Sequence, residues 1–550
     1  MPFFKKNEEE VKTAPESMSL RDATIKREEV KAPISQISPK PLLTKTITED
    51  PVDEKKPAEL PPTIEQNVVI APKPIESEKP RVAIVVKEQN EIKENIENLQ
   101  SEIVKNSITR LVDTATDLSC IYTKQKIIRL DILTTQDEFK TFIERNLQIT
   151  DLDISDCYNI VNFTLLENLT NLEQLDLTNC TNITDFSFLK NLKKLKVLSL
   201  SNTNIENLDV LENCRQLEVL NLKIATRIRS LNGIENSPLH DLNLFGCTAL
   251  KEISALGNNT QLRSIDLTAC GFVKDISFLK NARQMKYVNF NYTLFPDLSV
   301  LTHFIELEFF TMDFTNVSFN ETICSYFANL LNLKSLNLRN KGIIKLDFLS
   351  NLTKLKVLDI SGNMIKDIAP LSNLTEMKEL SIGSNVSITD ISALSNMRNL
   401  ECLDINGLKS MPMMINNIDV VENMPNLKVI RANFNKNLKT IEPLKNCTKL
   451  EEVAFEDCLG ISDITPLRFS PNLKSASFKN DTMIKNFSFL RQTTIGNLNL
   501  EKTSIKQIYI GAFNGTPNFK VDENNEGIIK LIFEAFKINK KIINFLKIIK

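Results

Sequence analysis

Leu172-Glu173-Gln174-Leu175-Asp176-Leu177-Thr178-Asn179-Cys180 decides the architecture of this chain. Leu175 and Leu177 are separated by one polar residue, the period of a strand with one buried face. A second half follows, in which Ile183, Phe186 and Leu189 are spaced by three. That spacing suits a tight 3₁₀ turn better than a full helix. The next copy puts Leu195, Leu198, Leu200, Thr203, Ile205, Leu208 and Leu211 in the same slots. Working outward, the phrase recurs seventeen times, from Ile127, Ile149, Leu172 and Leu195 to Leu450, Leu473 and Ile495. Copies start 22 or 23 residues apart, except 26 after Leu307 and 27 after Leu400. The fourth and sixth positions are apolar in every copy, 34 residues in all. Identical short strands at a fixed period bury their apolar faces against one another by stacking. At about 4.8 Å per strand, seventeen strands span ~80 Å. The expectation is an α/β solenoid: a curved array with a parallel concave sheet and a short 3₁₀ or helical convex side.

The ninth position closes the bend after each strand. It holds Cys157, Cys180, Cys247, Cys270 and Cys458, then Thr135, Thr203, Thr293, Thr315 and Thr503, then Asn363, Asn385 and Asn435, with Asp481 as a polar variant. Small polar side chains there can bond backbone groups of neighbouring coils that would otherwise be unpaired inside the solenoid. Ala225, Lys341 and Leu408 break the ladder. The two long repeats carry inserts. Residues 319–331 read as a helical turn or two on the convex side, and 408–423, with Met411-Pro-Met-Met414, as a bulging loop.

The L-x-x-L-x-L-x-x-N/C phrase resembles the leucine-rich-repeat family. Ile365-Lys-Asp-Ile-Ala-Pro-Leu-Ser-Asn373, Ile388-Thr-Asp-Ile-Ser-Ala-Leu-Ser-Asn396 and Ile461-Ser-Asp-Ile-Thr-Pro-Leu467 resemble internalins and, equally, the leucine-rich regulatory subunit of protein phosphatase 1. Leu175-Asp-Leu-Thr-Asn-Cys-Thr-Asn-Ile-Thr-Asp185 is similar to protozoan leucine-rich-repeat proteins of the cysteine type. The resemblance covers about residues 127–513. It implies the solenoid fold, and a function in binding: a scaffold, an internalin-like surface or secreted adhesion factor, or a regulator of a phosphatase or cyclase. The matching residues are the structural ones, so they carry the fold rather than a site.

Around the array the composition changes. Residues 1–87 are rich in proline, lysine and glutamate and read as a disordered tail that cannot bury enough apolar surface to fold. Residues 88–126 carry Ile92, Ile96, Leu99 and Ile103 on one helical stripe and read as a helical N-terminal cap. Residues 514–550 read as a C-terminal cap. There Leu531, Ala535, Ile538, Ile542, Phe545, Leu546 and Ile549 share one arc of an amphipathic helix, opposite Lys530, Lys537, Lys540, Lys541 and Lys547. Such a helix also suits weak membrane-surface contact. The first residues are charged before any apolar run forms, and no run of 18 apolar residues occurs, so the expected compartment is the reducing cytoplasm. The ten cysteines then read as buried thiols rather than a disulfide framework.

Net charge is -2, which gives no general pull toward nucleic acid. Neither His240 nor His303 sits in a catalytic or metal-ligand pattern, and no glycine-rich phosphate loop or nucleophile elbow occurs. The expectation is no enzyme, no cofactor and no metal, but a monomeric scaffold for a protein partner. Two groups of outward residues are candidates. One is aromatic: Tyr287, Asn289, Asn291, Tyr292, Phe309, Asp313 and Phe314, with Arg339 on the next coil, read as an exposed interaction hot spot. The other is acidic: Asp131, Asp151, Asp153, Asp156 and Asp176 on the first three coils, suited to a basic partner.

Overall fold

The computed structural model describes residues 127–313, 318–485 and 495–504, together with the backbone of 518–520. Within these, strands β1 (Ile128–Arg129) to β18 (Asn518–Lys520) form one parallel sheet of 18 strands. Each strand pairs with the next in sequence, and coil n below is the coil that contains strand βn. The register follows the leucine slots: Leu175 of β3 (Gln174–Asp176) lies beside Leu198 of β4 (Val197–Ser199), then Leu220, Leu242 and Ile265. The same column runs on through Val288, Phe310, Leu336 and Leu358. These residues are all 2% exposed or less, so the column is the spine of the core. The convex side is made of 3₁₀ turns, such as Ser187–Asn191, Ser277–Asn281 and Ser392–Asn396. Each of these three is opened by an aspartate two residues earlier: Asp185, Asp275 and Asp390 accept the N–H of Ser187, Ser277 and Ser392, each at 2.8 Å.

The bend is closed by the ninth-slot ladder. Cys180, Cys247, Cys270 and Cys458 donate to a carbonyl of the preceding coil: Ile154 at 3.1 Å, Leu222 at 3.1 Å, Leu244 at 3.2 Å and Ala432 at 3.1 Å. Asn363 does this more fully. Its Nδ2 donates to Leu338 O of the preceding coil (3.0 Å) and Ile360 O of its own (2.8 Å), and its Oδ1 accepts from Lys341 N (2.8 Å). Threonine differs: Thr203 and Thr503 donate to Leu200 O and Leu500 O of their own coils, each at 2.8 Å, and so do not bridge.

Four sequence expectations change. The first unit shifts by two residues, because Ile128 pairs with Leu152 and so occupies the fourth position that had been given to Leu130. Ile132 is then 50% exposed, and Thr135 is not a ladder rung. Thr135 instead caps helix α1 (Gln136–Arg145) in a capping box with Glu138. Helix α1 buries Phe139 and Ile143 and takes the place of a 3₁₀ turn in the first coil. At the other end, β18 lies in the stretch assigned to the C-terminal cap, so the sheet runs one strand further than seventeen. In coil 13, Leu408 turns out to solvent (46% exposed) in a turn that it closes with Met411, and fully buried Met413 bridges to Asn435 in its place. Lys341 does stay in the ladder, fully buried; burial pulls its amine down to about 8 against the opposing charge of Asp313. The insert expected at 319–331 contains the short helix α2 (Glu321–Ser325), capped by Asn320. The tail (1–87), the expected N-terminal cap (88–126), Phe314, Thr315 and the helix of 527–550 lie outside the described residues.

Candidate functional site

Every strand turns its first and third residues, and the residue two beyond, toward the concave side. The third strand residue is most often Asp or Asn, and its carboxyl or amide oxygen accepts the N–H two residues on. Asp153 does so for Ser155 (2.9 Å), Asp176 for Thr178 (2.8 Å), Asp266 for Thr268 (2.8 Å), Asp359 for Ser361 (2.9 Å) and Asp404 for Asn406 (2.9 Å). The bond satisfies the backbone as the chain leaves the sheet. Much of the acidity of the concave face therefore also has a structural use. Burial pushes the Asp266 and Asp359 carboxyls up, and pushes that of Asp404 up to about 6 against the bond from Asn406 and the pull of Arg431.

The residues expected to form an aromatic patch are adjacent, but they are less exposed than a free hot spot. Tyr287 lies on β8 (Tyr287–Asn289) between Ser264 and Phe309, and its ring centroid is 6.4 Å from that of Phe309. It is only 5% exposed, because the strand spacing presses each outward ring against the next coil. Asp313 is 2% exposed. Asn291 is half-buried and joins the two coils, its Oδ1 accepting from Thr311 Oγ1 (2.9 Å) and Asp313 N (2.6 Å). Asn289 donates to Asp266 at 3.3 Å. Tyr292, Phe309 and Arg339 remain half-buried on the same face.

The five aspartates of the first three coils are also brought together, with a cation that the sequence reading missed. Arg129 reaches Asp153 at 3.4 Å and Asp156 at 3.9 Å. It faces outward in the first coil, beside Asp153 of the second. Asp156 also accepts from Asn179 (2.8 Å), Asp151 is buried, and Asp131 holds the N–H of Leu133 at 2.8 Å. The patch is thus fixed in place and partly neutralised. A second feature missed is a charge ladder along the start of the strands, where Lys196 pairs with Glu173 (2.7 Å) and Lys428 with Glu401 (2.6 Å). Alternating lysine and glutamate in the second position of successive repeats was its visible signal.

The eighth position adds a rule that the sequence leaves implicit. It is left-handed in coil after coil, with φ near +60°. Asp156, Asn179, Asn202, Asn340, Asp457 and Asn480 suit that conformation, as do Gly246 and Gly362. Ile224, Tyr292 and Phe434 do not, at φ 61°, 56° and 59°.

Comparison with known proteins agrees with this geometry. The Leucine Rich repeats model of two copies matches residues 331–373, and the BspA type Leucine rich repeat region model matches 141–220 and 415–516. The chain is a leucine-rich-repeat protein. Its repeats are similar to those of an internalin of Listeria monocytogenes str. 4b F2365, at 25% identity over 63% of this chain and 89% of that one, with a TM-score of 0.44. A leucine-rich-repeat protein of Leptospira interrogans shares the fold, with a TM-score of 0.52 and 16% identity over 68% of this chain and 99% of that one. A second Listeria internalin, whose functional domain includes a cysteine ladder, is 18% identical over 64% and 74% of the two chains, with a TM-score of 0.37. No curated protein matches the sequence.

Proposed function

We propose that this chain is a non-enzymatic scaffold or regulatory subunit that holds a protein partner against its concave sheet. The observation that carries the reading is the sheet itself: its parallel strands run in unbroken register, and coils 2 to 17 each present three side chains on one face. Proteins built from such repeats generally act by binding other proteins. Along the face, Asp241, Asp266, Asp359, Asp404, Glu379 and Glu456 outweigh Lys223, Arg339 and Arg431, so the partner surface that fits is basic. Half-buried Phe309 and Arg339, of the residue types that dominate interface energies, lie on this face in coils 9 and 10.

The test is capture of the partner from the native source by the intact chain, identification by mass spectrometry, and a repeat with purified components. Phe309→Ala combined with Arg339→Ala should weaken the purified complex by roughly 2 kcal/mol or more while the melting temperature holds. Retention of full affinity by the folded double variant would remove the concave face from the interface. A partner found on the surface of another cell would move the assignment to adhesion.

A further inference from the structure

The residue after each ladder slot lies on the edge where the coil leaves the sheet. In coils 3 to 6 it is polar: Thr181, Asn204, Thr226 and Thr248. Further on it turns apolar. Met364, Val386, Met414 and Leu459 follow the rungs of coils 11, 12, 13 and 15, and Met483 stands one residue further along in coil 16. Coil 14 interrupts the row with Lys436. These five apolar residues are 38% to 66% exposed. The rungs beneath them are stacked: Asn385 Oδ1 accepts from Ile365 N at 3.1 Å, Met413 bridges to Asn435, and Cys458 N donates to Asp481 Oδ1 at 2.7 Å. The side chains above the rungs therefore form one row along the edge. Asn437 Nδ2 lies 4.0 Å from Met414 Sδ, which joins coils 13 and 14 across it. Every methionine exposed among the described residues is on this edge, Met411 in the bulge of coil 13 being the fourth. Exposed apolar side chains in a row mark a contact surface, and unbranched methionines suit one that must adapt its shape.

The charges beside the row are mixed. Exposed Lys366, Lys439 and Lys485 stand among exposed Asp367, Asp390 and Asp463, so charge favours no occupant. Length and origin favour one. In the register of β18, Phe519 lies beside Leu498 and Lys520 beside Asn499. The rung Thr503 comes four residues after Asn499, and the same count from Lys520 gives the ladder slot of coil 18 to Asn524. The amphipathic stretch that opens at Gly527 therefore starts from the edge that carries the row. From Gly527 to Ile549 an α-helix rises about 33 Å. Seven strand spacings, from coil 18 back to coil 11, cover about 34 Å. The apolar arc from Leu531 to Ile549 returns once per turn of about 5.4 Å, close to the ~4.8 Å between coils, so each turn meets about one coil. A linker of a few residues holds such a helix at an effective concentration on the order of millimolar, which a second copy in dilute solution does not match.

We propose that residues 527–550 fold back as a helix along this edge, seating the arc from Leu531 to Ile549 on the row from Met483 to Met364 and turning Lys537, Lys540 and Lys541 to solvent. The segment is then a strap that ties coils 11 to 18 together, rather than a lid over the end of coil 18. The concave sheet stays open, so the inference stands independently of the scaffold reading.

The experiment oxidises the full chain with dilute hydrogen peroxide and reads each methionine by peptide mass spectrometry, in the wild type and in Ile538→Asp with Ile542→Asp. Sulfoxide formation follows exposure. Met364, Met414 and Met483 should oxidise at least roughly tenfold more slowly in the wild type than in the variant. Fully buried Met285, Met377 and Met397 should resist in both, which shows that the coils stay folded. A second variant changes the row instead. Met364→Glu with Met414→Glu, both at exposed positions, should speed hydrogen exchange of the amides of 531–549 roughly tenfold. If the helix variant opens the coils and Met377 reacts, the row variant decides alone. Equal oxidation of the three methionines in both folded chains overturns the proposal. So does amide protection in 531–549 that the row variant leaves unchanged, the result expected of a lid over coil 18. Protection that fades on dilution gives the row to a second copy, and protection that needs vesicles of phosphatidylserine and phosphatidylcholine gives the helix to a membrane surface; either also overturns it.

Discussion

Replacing Asp481 by asparagine should stabilise the protein at neutral pH and do nothing at pH 4. Asp481 occupies the ladder slot of coil 16 and is fully buried. Its Oδ1 accepts the N–H of Cys458 at 2.7 Å, as Asn363 Oδ1 accepts that of Lys341 at 2.8 Å. In an asparagine rung the other atom is Nδ2, which donates to carbonyls: Asn435 reaches Ile405 O and Ala432 O, both at 2.9 Å. In Asp481 that position is held by Oδ2, which has no hydrogen-bond partner. Only a protonated Oδ2 can donate as Nδ2 does. Burial, together with the carboxylates of Asp457 and Glu456, pushes the Asp481 carboxyl up from 3.8 to about 8, against the bond from Cys458.

The direction follows from proton counting. Between pH 3.8 and 8 the folded state keeps a proton that the unfolded chain has released, so stability falls as pH rises through that window. At about 1.4 kcal/mol per pH unit, the loss by pH 7 is roughly 4 kcal/mol. Asparagine carries no such penalty and keeps the rung bonds. Denaturant unfolding of both chains in parallel from pH 4 to pH 9 should show equal stability at pH 4, a gap that widens to roughly 4 kcal/mol in favour of Asp481→Asn at pH 7, and a plateau above pH 8. Taking the difference between chains cancels the other titrating groups. A gap that does not depend on pH, or a wild type that is the more stable chain at pH 7, would refute the neutral-rung reasoning.

Other outcomes follow from the same geometry. Gly233→Ala should destabilise by roughly 3 kcal/mol or more in a thermal melt, because at φ +106° its Cβ would lie 2.1 Å from Leu208 O, a backbone atom that cannot step aside. The ladder thiols should resist an aromatic disulfide reagent in the folded protein and react on denaturation: the Cys180 and Cys247 thiols are pushed up to about 12, chiefly by burial. Leu358→Ala, in the central column and fully buried, should lower stability by about 2–5 kcal/mol. Loss within experimental error there would mean that neighbouring coils close over the cavity.

The sequence made the solenoid legible because period and slot chemistry are local. Leu175, Leu198 and Leu220 need only be counted to be stacked. What it hid are places where counting fails. The register of the first coil is set by helix α1, whose Phe139 and Ile143 draw the chain inward, and a count from Ile127 ignores them. In coil 13 the bulge from Leu408 moves the rung five residues on to Met413. Arg129 lies on the outward face in either register, since the shift is by two residues, but the acidic patch was read from its aspartates alone. The exposure of Tyr287 was misjudged for another reason. Alternation assigns a face, but whether a ring on that face meets water depends on the rings beside it, here Phe309. The left-handed eighth position was visible as repeated Asn, Asp and Gly, and the informative exceptions, Ile224 and Tyr292, stand out only once the rule is known.

The ladder also divides the solenoid by how its coils are joined. Rungs that bridge to the preceding coil are Cys157, Cys180, Cys247, Cys270, Asn363, Asn385, Asn435, Cys458 and, through the N–H of Cys458, Asp481. Rungs whose side chains do not bridge include Thr203 and Ala225 in coils 4 and 5, Thr293 in coil 8, whose hydroxyl bonds Phe290 O of its own coil, and Thr503 in coil 17. In an array whose stability is a sum over neighbours, weaker rungs would loosen those junctions unless something replaces them. Around coil 8 the replacement is aromatic. Phe290 meets Phe295 at 4.7 Å and Phe310 at 5.9 Å, and Phe310 meets Phe327 at 5.1 Å, which carries contact from coil 8 through coil 9 into the insert with helix α2. Phenylalanines pack without the fixed donor and acceptor geometry of an asparagine rung, so these coils can accept the long repeat and buried Lys341 without losing the sheet. Cys247 and Cys270 stitch coils 6 and 7 to the coil before each, whereas the rungs of coils 5 and 8, Ala225 and Thr293, reach no neighbouring coil.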